Sequence, residues 1–148
     1  MKNILIVNGP NLNLLGNREN QFYGETTLMK IQLLCEQHCK KNEFECDFYQ
    51  SNHEGELIEK IQSVDKVYDG IIINPAAFTH TSIALLDALR ATSKPKIEVH
   101  ISNIYAREDY RRKSITSEAV NGVICGFGEN GYVLAIDAIK NLIYSKEI

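Results

Sequence analysis

A chain of 148 residues with 44% hydrophobic and 24% charged residues reads as one globular domain. A domain of that size buries roughly 70% of its unfolded surface. The net charge of −3, with no basic stripe, argues against a nucleic-acid partner. The first apolar run is too short for a signal-peptide core or a membrane span, so a cytoplasmic location is expected.

In chain order, strand-like and helix-like segments alternate. Ile4 to Val7 is a continuous apolar run, the mark of a strand covered on both faces. Asn8 to Gly24 then carries Gly9-Pro10, Gly16 and Gly24, and continues neither a strand nor a helix. It is long for a connection, apolar enough at Leu12, Leu14, Leu15, Phe22 and Tyr23 to be anchored, and rich in reactive side chains. It reads as an active-site loop or lid. Thr26 or Thr27 can cap a helix with Leu28, Ile31, Leu34 and Cys35 on one stripe. The alternation around Cys46 and Phe48 suits an edge strand.

Glu56 to Val64 predicts a short helix, and Ile71 to Ile73 a central strand that Pro75 stops. Thr79 to Arg90 predicts a helix with Ile83, Leu86 and Leu89 or Leu85 toward the sheet. Lys96 to Ile101 is the fourth strand, Asn103 to about Lys113 a short charged helix, and Val123 to Cys125 the fifth strand. Asn130 to Tyr144 closes the pattern with Val133, Leu134, Ile136, Ile139 and Ile143 on a stripe. Five strands alternating with helices predict an α/β fold, a parallel sheet with helices on both faces. Order 2-1-3-4-5 fits best, because the second strand has the edge pattern while the first and third are the most apolar.

In such sheets ligands bind beyond the carboxyl ends of the strands, where strand order reverses. Asn8, Asn74-Pro75, His80, His100 with Ser102-Asn103, and Gly126-Phe127 are expected to meet at that rim. On the fourth strand Ile97, Val99 and Ile101 share one face, Glu98 and His100 the other. A carboxylate beside the imidazole fixes its tautomer and raises its basicity, which suits His100 to a general acid. A structural Glu-His pair capping the strand is the competing reading.

Tyr23 alone would pass for a core or lid aromatic. A phenol is only about 0.1% ionised at neutral pH. As a base it needs cations nearby, and Arg18 and Arg107 are the candidates. The backbone N–H groups of Ile101, Ser102 and Asn103 at a helix start could bind an anion, or Ser102 or Asn103 could simply cap that helix. Arg111 follows Arg107 by one turn and could share its direction. His80 and Asp87, seven apart on one helix, would lie about 10 Å apart along its axis. Either one is structural or Asp87 serves another subunit. His38 and His53 read as surface residues. Cys35, Cys39, Cys46 and Cys125 lack metal-ligand spacing and read as buried reduced thiols.

These segments together resemble the type II 3-dehydroquinate dehydratases, small metal-free enzymes of the shikimate pathway. The resemblance rests on GPNLNLLG with Arg18 and Tyr23-Gly24, INPAAFTHTSIALLDAL from Ile73 to Leu89, EVHISN from Glu98 to Asn103, AREDYRR, and GVICGFGENGY from Gly122 to Tyr132. It implies a flavodoxin-like sheet, no cofactor, and dehydration of 3-dehydroquinate to 3-dehydroshikimate by anti elimination through an enolate.

By position it implies Tyr23 as the base, Arg18 as the group that lowers its pKa, and His100 as the acid. It further implies Asn11 on the enolate, Asn74 with the Ile101 and Ser102 backbone on the carboxylate, and His80 and Arg111 on ring hydroxyls. Asp87 would reach a neighbouring subunit's site in a dodecamer built from trimers. The sequence departs from the commoner pattern at Asn20, where a proline often stands, at Arg112-Lys113, and at Ser117-Glu118-Ala119. A flavodoxin-like binding module is the rival class. Its phosphate-acceptor form fails on Asn8 and Asn74, its nucleotide form on the missing glycine motifs, and its flavin form would colour the protein.

Overall fold

The computed structural model describes residues 1–16 and 25–145. Five strands, β1 (Lys2–Asn8), β2 (Phe44–Gln50), β3 (Gly70–Asn74), β4 (Lys96–His100) and β5 (Gly122–Cys125), form one parallel sheet. The order is β2-β1-β3-β4-β5, the flavodoxin-like order expected. β1 from Ile4 onward and all of β3 are buried, as central strands covered on two faces must be.

Side chains alternate across each strand, so the sheet makes two cores. Ile4, Ile6, Ile72, Ile97 and Val99 face α1 (Leu28–Lys41) and α5 (Asn130–Ser145). Leu5, Val7, Ile71 and Ile73 face α2 (Glu54–Gln62), the short α3 (Val64–Val67) and α4 (Ile83–Ala91). Thr27 caps α1, its hydroxyl accepting from the Lys30 N–H. None of the described helices is long and apolar enough to cross a membrane.

Several expectations fail locally. The helix expected from Thr79 begins at Ile83, capped by Ser82, and Ala76–His80 forms a 3-10 turn instead. That shift turns Ile83 outward, 63% exposed, while Leu85 and Leu89 are fully buried. On α5 Leu134 faces outward and Tyr132 takes the buried place. Leu12 and Leu15 anchor the loop after β1, but Leu14 is exposed. The charged segment after β4 makes two 3-10 turns, Ile104–Ala106 and Asp109–Arg111, in place of a helix. Extended backbone at Arg107 and Glu108 separates them. Of the four thiols, Cys35 and Cys39 are buried, whereas Cys46 and Cys125 are only partly so.

The β1 and β3 ends are locked at Gly9, whose N–H donates to the Asn74 carbonyl at 2.8 Å. A Cβ on Gly9 would stand 2.4 Å from the Pro75 carbonyl oxygen, which is backbone and has no rotamer to yield. Gly9→Ala is therefore expected to cost about 1–3 kcal/mol, measured as a fall in the urea midpoint with unchanged slope. An unchanged midpoint would show that the junction relaxes freely.

Candidate active site

The register of the sheet sets the site. Asn8 pairs with Asn74 at the carboxyl ends of β1 and β3, where strand order reverses. The Tyr132 hydroxyl, fully buried on α5, joins them. It donates to Asn8 Oδ1 at 2.7 Å and accepts from Asn74 Nδ2 at 2.9 Å. Burial pushes the Tyr132 phenol well above its ordinary pKa, so it stays a neutral donor. Asn74 Oδ1 accepts from the Ala76 N–H, which holds Ala76 in a left-handed turn at φ 54°. Both ends of the Asn74 amide are thus oriented before any ligand arrives.

Beyond these ends lies a cleft of about 660 Å³, open solvent at its mouth included. Asn11, Asn74, His80, His100, Ile101, Ser102, Arg107 and Arg111 line it, with Leu12, Leu15 and Ile104 as apolar wall. Asn11 is left-handed, φ 69°, and its N–H donates to Asn52 Oδ1 at 2.9 Å. The expected rim is thus largely present. Gly126 and Phe127 stand apart from it: Phe127 is exposed, and the Gly126 and Gly128 N–H groups brace the rim by donating to the His100 and Ile101 carbonyls.

Glu98 and His100 point to one face, as strand parity requires, and both are buried. His100 Nε2 lies 2.7 Å from Glu98 Oε2. Burial alone would raise the Glu98 carboxyl. The His100 bond and charge, then the Thr116 and Ser114 hydroxyls, outweigh it and hold the group below the ordinary carboxylate range. An ionised carboxylate only accepts, so Nε2 carries the hydrogen and Nδ1 is the ring nitrogen left for the cleft.

His80 is read the same way. Burial lowers its pKa, the charges of His100 and Arg111 add to that, and the Lys113 carbonyl and Glu98 oppose it. His80 Nδ1 lies 2.7 Å from the Lys113 carbonyl oxygen. A carbonyl cannot donate, so Nδ1 holds the hydrogen and Nε2 is an acceptor. A neutral imidazole with a free acceptor suits a ligand hydroxyl.

Arg107 and Arg111 supply positive charge. Arg107 Nη1 donates to Ser102 Oγ at 3.4 Å, and Arg111 Nε pairs with Glu108 Oε2 at 2.8 Å. The helix expected after Asn103 is corrected to a three-residue 3-10 turn, too short to sum a helix dipole, while Ile101 and Ser102 line the cleft. Asn103 does cap that turn, accepting from the Tyr105 N–H.

Asp87 lies exposed on α4 and is not among the cleft residues. His53 is exposed, but His38 is only partly so, bonded to Asp137 at 2.7 Å. Among the described residues no cluster of His, Cys, Asp or Glu is arranged to hold a metal ion. Arg18 and Tyr23 fall outside the described residues.

Sequence reasoning missed Tyr132 and the hydroxyls around Glu98. Its one available signal was the demand that a buried carboxylate find donors, which says nothing of where they come from.

A family model described as dehydroquinase class II matches residues 2–140. The 3-dehydroquinate dehydratase of Clostridium botulinum (strain Hall) is 55% identical over 141 residues, covering 95% of this chain and 96% of that one. The Rhizobium meliloti enzyme of the same name is 52% identical over 139 residues, 94% of each chain. Among solved structures, the type II dehydroquinase from Butyrivibrio crossotus superposes with a TM-score of 0.92 at 47% identity, covering 94% of this chain and 97% of that one. The type II dehydroquinase from Propionibacterium acnes gives 0.89 at 40% identity, covering 97% of each. With a family match over nearly its whole length and relatives above half identity, the chain belongs to the class II dehydroquinases.

Proposed function

We propose that this chain dehydrates 3-dehydroquinate to 3-dehydroshikimate, with Tyr23 as base, His100 as acid and an enolate between them. The observation that carries the reading is the buried Glu98–His100 pair facing a cleft that also gathers His80, Arg107 and Arg111. Tyr23 removes the proton beside the ketone. Arg18 makes its phenolate accessible, which for a shift of about two pKa units requires some 2.7 kcal/mol. Asn11 holds the enolate through a water. His100, doubly protonated with Nε2–H on Glu98, gives its Nδ1 proton to the departing hydroxyl, so one C–H and one C–O bond break and water leaves.

An amide NH2 carries two hydrogens, and Asn74 commits one to Tyr132. The other, with the Ile101 and Ser102 N–H groups, holds the substrate carboxylate. His80 Nε2 accepts from a ring hydroxyl, and Arg107 and Arg111 complete the cationic wall. Asp87 serves a neighbouring subunit's cleft in a dodecamer of trimers, and the reaction belongs to the shikimate pathway in the cytoplasm.

The test is to add 3-dehydroquinate and follow the near-ultraviolet absorbance of the conjugated product. Turnover should survive chelator and borohydride, since neither metal nor lysine imine enters the proposal. Tyr23→Phe should lose turnover by a factor of about 10² to 10⁴. A Tyr23→Phe protein with full turnover would remove Tyr23 from its role. Mixing inactive Asp87→Ala and Tyr23→Phe subunits should restore partial activity, and no rescue would count against shared sites.

A further inference from the structure

Glu98 is fully buried, yet it is not left to His100 alone. Thr116 Oγ1 donates to Oε1 at 2.5 Å; Ser114 and Thr79 hydroxyls donate to Oε2 at 2.9 and 3.0 Å. With His100 Nε2, four groups lie within hydrogen-bond distance of the carboxylate, three of them on Oε2, and the three hydroxyls share their three hydrogens between Glu98 and one another. Thr79 and Thr116 are themselves fully buried. Thr79 Oγ1 also lies 2.7 Å from Ser114 Oγ and 2.6 Å from Thr116 Oγ1, so the three hydroxyls are one cluster. Its geometry is pinned from outside the side chains. The Ile115 N–H donates to the Thr79 carbonyl at 2.7 Å, and the Ser117 N–H and hydroxyl bond Ser114.

None of the three hydroxyl residues lines the cleft. Yet a carboxylate held at both oxygens by buried hydroxyls cannot swing, and the imidazole bonded to it cannot flip. We propose that Thr79, Ser114 and Thr116 are positioning residues for His100: their hydroxyls fix the Glu98 carboxylate in the one orientation that keeps the His100 hydrogen on Nε2 and turns Nδ1 to the cleft. This rests on the reading of His100 as the acid. Among the described residues, the titratable groups coupled to Glu98 at this cluster are His100 on its own strand, His80, and Cys125 on β5. Glu98 acts on His80 and Cys125 by charge, and Arg111 acts on His80.

The decisive variants are Thr116→Val, which keeps the shape and loses the donor, and Thr116→Ser, which restores it. Ser114→Ala, at a partly exposed position, serves if the valine variant fails to fold. A hydrogen bond to a charged group is strong enough to predict a fall in kcat of about tenfold to a hundredfold. KM should change little, because the cleft wall is untouched. The pH profile of kcat should shift in Thr116→Val and return in Thr116→Ser.

Nitrogen-15 NMR of the ligand-free protein, at a pH high enough to make the ring neutral, should show His100 in a single Nε2–H tautomer in the parent and mixed tautomers in the valine variant. Loss of activity with an unchanged His100 spectrum would mark a merely structural role and overturn the proposal. So would parent kcat, pH profile and spectrum in both Thr116→Val and Ser114→Ala. The NMR arm needs no substrate. A parent chain that leaves 3-dehydroquinate intact would therefore sink the functional reading alone.

Discussion

His100→Gln is expected to lower kcat by about 10² to 10⁴, the usual worth of a positioned proton donor. That range corresponds to about 3–5 kcal/mol of barrier. Glutamine keeps an N–H for Glu98 but has no proton to give at neutral pH. The loss should fall on turnover and leave KM near its parent value. Steady-state kinetics with 3-dehydroquinate decide it, and a substrate whose leaving group needs no protonation should recover most of the rate. If the variant turns over normally, the buried pair beside the cleft is structural, the competing reading of the Glu98-His100 motif.

Glu98→Leu carries the largest expected effect on stability. Removing one partner of a buried ion pair costs about 3–5 kcal/mol. Here the loss also removes the shared acceptor of the Thr116, Ser114 and Thr79 hydroxyl cluster and of the His100 N–H. For a chain of this length that is roughly 10 °C in Tm.

The pH dependence has a definite direction. The folded-state pKa of Glu98 is depressed, so the unfolded chain binds the proton more readily. The stabilisation is complete above the ordinary Glu value, near about 4.3, and is lost as pH falls through the lower folded value. The gap between parent and variant should therefore be full at neutral pH and shrink toward pH 3 in urea titrations. A gap that holds constant or widens in acid would mean that Glu98 is not the ionised centre of the cluster.

The sheet was legible because strand parity and burial leave strong marks. Uniform apolar runs at Ile4 to Val7 and Ile71 to Ile73 can only be central, and the alternation in β2 can only be an edge. The same parity alone puts Glu98 and His100 on one face. Where local signals compete, the reading slipped. Thr79-His80-Thr81-Ser82 holds more than one residue able to cap a helix, and only packing selected Ser82. The charges between Asn103 and Lys113 sit at helical spacing, but the extended backbone at Arg107 and Glu108 breaks the run. The hydroxyl cluster left no periodic trace, since its bonds to Glu98 span 16 to 19 residues and involve side chains common on any surface.

Tyr132 lies 124 residues from Asn8 and 58 from Asn74. A chain growing from the ribosome therefore carries both asparagines, and every strand of the sheet, before the phenol that unites them is made. Domains emerge at about 5–20 residues per second, so the interval is one of seconds. Competence for chemistry arrives late, with the docking of the terminal helix, and a nascent chain halted before that helix would lack both its working face and the cover of one of its two cores.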